Sequence, residues 1–138
     1  MGITWRQQMS VGIKEIDDDH RQLIAIISDF NFAAESRSGQ IDEGNMRVIL
    51  SKLQRYAREH FDREEKLQLA CNYPGHAENK KQHELLTRQL DDFTRLYTDG
   101  KLGSAKSATI LMSKFLNRWL VDHILKVDLK MRGMGGPG

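Results

Sequence analysis

Apolar residues recur along this chain at steps of three and four rather than in alternation, the signature of one-sided helices. Four stripes stand out. The first holds Leu23, Ile24, Ile27 and Phe30, and the second Ile49, Leu50, Leu53 and Tyr56. Leu86, Leu90, Phe93 and Tyr97 form the third; Leu116, Trp119, Leu120 and Val127 form the fourth. The pattern predicts an N-terminal arm to about Ile16, then helices over Asp17–Arg37, Asp42–Ala70, Gly75–Thr98 and Ser104–Met131.

The residues between the stripes agree with those breaks. Gly39 follows the first helix, and Asp42 is placed to cap the second. Asn72-Tyr73-Pro74-Gly75 parts the second from the third, because a helix seldom continues through the residue before proline. Gly100 and Gly103 bracket the last turn, with Ser104 as a cap. One buried face per helix and short connections imply an all-α fold, an antiparallel up-down four-helix bundle behind an N-terminal arm. The domain is expected over residues 1–132, with 133–138 a flexible Gly-rich tail.

Polar residues interrupt these stripes. His20 precedes Leu23 on the first apolar face, and His60 and Glu64 prolong the second. His83 opens the third stripe, and His123 follows Trp119 and Leu120 on the fourth. Burying an imidazole or a carboxylate costs a few kcal/mol unless it finds a partner. For one histidine, a hydrogen-bonded core residue would suffice; four on four helices ask for more. Counting ~1.5 Å per residue, His60 and Glu64 lie ~10–15 Å before the second break, and positions 79 and 83 ~6–12 Å after it. The same count from the other turns brings His20 and His123 to that level of an antiparallel bundle.

Imidazoles and carboxylates converging without a thiolate suit iron, manganese or zinc rather than a structural zinc knot. His60 and Glu64, four apart, share one helix face. Asp128 is not chosen by periodicity: five residues after His123 is about 140° around an ideal helix. A bulge or a loosened last turn would have to bring it inward. The run Asp17-Asp18-Asp19 favours the start of the first helix through the helix dipole. Met9, Met46, Met112 and Met131 fit core or flank positions, and Trp119 and Phe115 are expected to pack near the centre and keep water from it.

Composition narrows the function classes. Lys and Arg total 21 against 19 Asp and Glu, with no basic cluster, so nucleic acid is not an expected partner. No apolar run approaches the ~20 residues that span a bilayer, so no membrane partner is expected either. The first residues lack a signal-peptide pattern, and the single cysteine, Cys71, has no internal partner. A cytoplasmic monomer is the expectation.

The segments Trp5…Val11-Gly12-Ile13…Ile16-Asp17…His20, His60-Phe61…Glu64-Glu65, Tyr73-Pro74…His83 and Trp119-Leu120-Val121-Asp122-His123…Asp128 resemble the signatures of the bacterial haemerythrins. They occur in the family's order and span the chain from Trp5 to about Met131. The resemblance implies two non-haem iron ions, joined by carboxylates and an oxo or hydroxo bridge, one iron with two histidines and the other with three. By position, His20 and His60 would bind the first iron, His83 and His123 the second, and Glu64 and Asp128 would bridge them. It also implies a dioxygen-binding protein for storage, delivery or sensing rather than an enzyme.

One position departs from the family. Its third motif is His-x-x-x-His, whereas this chain reads Asn79-Lys80-Lys81-Gln82-His83. An amide oxygen is a poorer iron ligand than an imidazole, so the vacancy could hold the Asn79 oxygen, water or nothing. His76 shares the face of His83 but lies about 10 Å along the axis; a surface histidine is the plainer reading of it. A missing imidazole also opens an alternative: a di-iron oxidase, peroxidase or nitric-oxide scavenger. A bundle that keeps the fold but binds one metal or none is the remaining reading.

Overall fold

The structure is a computed structural model, and it describes residues 4–36, 38–120 and 128–131. Four helices account for most of it: α1 (Lys14–Ser36), α2 (Glu43–Ala70), α3 (His76–Thr98) and α4 (Ala105–Leu120). Short 3-10 turns lie at Gln7–Met9 and Asp128–Met131. Among the described residues there is no strand. The predicted four-helix bundle is therefore the fold.

The capping residues act as their chemistry dictates. The Asp42 carboxylate accepts from the Asn45 N–H at 2.8 Å, and the Ser104 hydroxyl accepts from Ser107 N–H at 3.1 Å. Gly39, at φ 82°, turns the chain out of α1 with its N–H on the Ala34 carbonyl at 2.7 Å. Only a residue free of Cβ crowding takes that conformation at little cost. The stop of α2 differs from the proline reading. Asn72 takes the left-handed conformation, φ 54°, and the Tyr73 N–H returns to the Gln68 carbonyl at 2.9 Å. The helix has ended before Pro74.

Two boundaries differ from expectation. α1 begins at Lys14, not Asp17, because the Asp17 N–H already bonds the Ile13 carbonyl at 2.9 Å. Ile16, assigned to the arm, is thus a helical residue and fully buried. At the other end, Asp128–Met131, predicted as the last residues of the fourth α-helix, form a 3-10 turn. Arg37, His123, Val127 and the tail at 133–138 lie outside the described residues, as do the side chains of Leu120 and Asp128.

α1 lies on α2 and α4, and α2 on α3; α2 and α3 run antiparallel, pairing Gln54 with Asp91 and Glu64 with His83. The stripes meet in one core containing Leu23, Ile27, Phe30, Leu53, Leu90, Met112 and Leu116. Each such side chain contributes about 1.5–3 kcal/mol when fully buried. A smaller cluster joins the arm to the chain's far end, with Val11, Ile13 and Ile16 against Met131. Asp17 fastens that arm, accepting from Ser10 Oγ at 2.5 Å and the Val11 N–H at 2.9 Å. None of the described helices is long and apolar enough to cross a membrane.

Candidate metal centre

Along α2, Tyr56, His60, Glu64 and Gln68 follow one another at four-residue steps, and all four are buried. Four residues are slightly more than one turn, so the row stays on the face that looks into the bundle. Near the start of α1, His20 is fully buried as well, and α3 contributes His83 at 2 % exposure. His20, His60 and Glu64 each bring a ligand atom within 4.8 Å of the other two.

Glu64 lies between two histidines. One of its oxygens is 3.1 Å from His60 Nε2, and the other is 3.1 Å from His83 Nε2. The remaining ring nitrogens point away from this carboxylate. His60 Nδ1 meets Asp19 Oδ2 at 2.8 Å, and His83 Nδ1 meets Glu65 Oε2 at 2.7 Å. An ionised carboxylate only accepts, so each Nδ1–H donates, and this fixes the ring orientation that turns each Nε2 toward Glu64. Burial works to raise the Asp19 carboxyl, but hydrogen bonds from His60 and Arg63 outweigh it and hold the group below its ordinary value.

Aromatic rings wall the cluster. Tyr56 stacks on His60 with centroids 5.2 Å apart, and Phe61 stacks on His83 at 4.0 Å. The Trp119 indole meets both Tyr56 and Phe61 edge-on, at 6.0 and 6.2 Å, and Phe115 stacks behind it. Trp119 thus packs next to the histidine layer as expected, with Phe115 one ring further out.

The donor set fits a metal centre. Glu64 is a fully buried carboxylate, and an isolated buried anion costs several kcal/mol. Its two oxygens face two imidazole nitrogens, and nitrogen and carboxylate donors converging in this way are a set that cations between them would stabilise.

Asn79 lies one turn before His83 on α3, 2 % exposed, and among the described residues neither its Oδ1 nor its Nδ2 has a hydrogen-bond partner. His76 is the first residue of α3, partly exposed, and outside the His20–His60–Glu64 cluster. His123 lies outside the described residues; the backbone of Asp128 opens the 3-10 turn.

Sequence reasoning missed Asp19, Arg63 and Glu65. The acidic run it assigned to the helix dipole divides into three roles. Asp17 ties the arm, Asp18 pairs with Lys14 and Arg21 on the surface, and Asp19 holds His60 and Arg63. The available signal was adjacency: Asp19 precedes His20, and Glu65 follows Glu64.

A four-helix bundle with imidazoles and a carboxylate converging in its interior is a non-haem metal-binding bundle. Residues 11–134 match the model of the "Hemerythrin HHE cation binding domain", and the chain belongs to the haemerythrin family, whose domain holds a non-haem di-iron centre. The chain is 31% identical to a hemerythrin of Themiste dyscrita over 118 residues, 86% of this chain and 80% of that protein. It is 25% identical to a bacteriohemerythrin of Stenotrophomonas maltophilia over 122 residues, 88% of this chain and 74% of the relative. A hemerythrin-like protein of Naegleria gruberi is 27% identical over 130 residues, 94% of this chain and 91% of its own length.

Proposed function

We propose that this chain binds dioxygen at a di-iron centre held by His20, His60, Glu64, His83, His123 and Asp128. The observation that carries the reading is Glu64, whose two oxygens each face the Nε2 of a different histidine at 3.1 Å. Glu64 would hold one metal together with His20 and His60 and a second together with His83. His123 and Asp128 join the set through their places in the sequence. A reduced iron pair, when bound, supplies the electrons that dioxygen takes up. Asp19 and Glu65 orient the imidazoles, while Tyr56, Phe61 and Trp119 exclude water and slow oxidation of a reduced centre.

The test is iron analysis combined with spectroscopy of the reduced protein exposed to oxygen. Two irons per chain and an oxygenated spectrum that reverts under vacuum are expected. One equivalent or less after anaerobic reconstitution counts against the site.

A second reading, an oxidase, peroxidase or nitric-oxide scavenger, is favoured by Asn79, a buried amide where the family has an imidazole. Under that reading the reduced protein oxidises at once and turns over. Asn79→His should strengthen binding of the second iron and slow autoxidation, while His76→Ala leaves both unchanged. Loss of iron from His76→Ala would instead make His76 the missing ligand.

A further inference from the structure

Two buried amides remain without a role in the centre described above. Gln68 is fully buried and Asn79 is 2 % exposed. Among the described residues, Gln68 Oε1 and both polar atoms of Asn79 lack hydrogen-bond partners, and Gln68 Nε2 reaches the weak acceptor Met131 Sδ at 3.3 Å. An unpaired buried amide costs about 1–3 kcal/mol, and two are kept among the described residues.

Their positions are related. The pairing of Glu64 with His83 sets the register between α2 and α3, and the Gln54–Asp91 hydrogen bond at 3.2 Å follows the same register. One turn from Glu64 toward the α2–α3 connection reaches Gln68, and one turn from His83 in the same direction reaches Asn79. Both amides therefore lie at one level, directly beyond the Glu64–His83 pair.

We infer that Gln68 and Asn79 line a second ligand pocket, on the His83 side of the centre, that takes a small anion of azide or formate size. The inference rests on the proposed di-iron reading, because the amides are neutral and the cation beside them supplies the attraction. The Asn79 Nδ2–H group donates to the bound anion, and the missing imidazole leaves the space it occupies. Gln68 turns the same polar wall toward the pocket from α2. Oxygen binding at the His20–His60 side is a separate event.

The experiment has two arms. In the first, the oxidised, iron-loaded protein is titrated with azide, followed by absorption and calorimetry, after iron analysis of each variant. Asn79→Leu should weaken the azide site about tenfold or more, the loss of a hydrogen bond to a charged group. Asn79→His should abolish that site by filling it. In the second arm, the metal-free chain carries Asn79→Leu or Gln68→Leu. Each should raise the melting midpoint by on the order of 3 °C, because an unpaired amide leaves the core. Unchanged azide affinity and stoichiometry, with two irons in every variant, overturn the pocket while leaving the di-iron reading intact. Fewer than two irons in the parent protein overturn both. Loss of one iron from Asn79→Leu makes the amide itself a ligand, and a lowered melting midpoint makes the amides structural; either result overturns the pocket.

Discussion

His60 shows how much one side chain depends on its neighbours. Its ring is gripped on one nitrogen by Asp19, covered on one face by Tyr56, and aimed with the other nitrogen at Glu64. Asp19 is in turn held by Arg63. Removing the carboxylate frees the ring to rotate and to change tautomer. Asp19→Ala should therefore weaken metal binding by about 10–100-fold. Competition against a chelator of known affinity measures the change. An unaltered affinity would show that Tyr56 and the backbone alone hold the ring. Glu64→Ala is more severe: under the proposed function it removes the anion that both cations would share, and both metal content and stability should fall together.

Among the elements, the N-terminal arm joins a small apolar cluster and is tied down by one buried carboxylate. Asp17 satisfies the Val11 N–H and Ser10 hydroxyl, and this fixes Val11 and Ile13 against Met131. Asp17→Ala leaves a buried N–H unpaired and should cost about 1–3 kcal/mol, read as a lower urea midpoint. The arm should also become more open to proteolysis. An unchanged midpoint would mean that the apolar cluster alone anchors it. The Asp42 cap of α2 is the milder case. Asp42→Ala should cost about 1 kcal/mol, because the Asn45 N–H can turn to water instead.

At the level of the whole molecule, the polar layer and the apolar core act in opposite senses in the metal-free protein. Leu53, Met112 and Leu116 pull the helices together, while buried His20, His60, Glu64 and His83 resist dehydration. Metal should therefore stabilise the bundle by linkage, about 2.7 kcal/mol for free metal at a hundred times the dissociation constant. Calorimetry should show a melting midpoint that rises with free ferrous iron under anaerobic conditions. A midpoint independent of iron would mean that the native chain has no metal preference over the unfolded one. Glu64→Leu should abolish the dependence while leaving the metal-free fold no less stable, since a buried carboxylate has become a packed apolar side chain.

Helical periodicity, the turn residues and the buried polar interruptions were all legible in the sequence, because each depends on residues three or four apart. Those local rules settled the four helices, the caps at Asp42 and Ser104, and the level at which His20, His60, Glu64 and His83 meet. Contacts between distant segments were not legible. Asp19 looked like one of three acidic residues at a helix start until α2 brought His60 and Arg63 against it, more than forty residues away in the chain. The early start of α1 likewise depended on packing, since the arm's Val11 and Ile13 are buried in a cluster with Ile16 and the distant Met131. Periodicity can show which face of a helix is buried. What that face meets depends on how the helices are set against one another, and here the tertiary structure alone decided which carboxylate holds each imidazole and which buried amides were left unpaired.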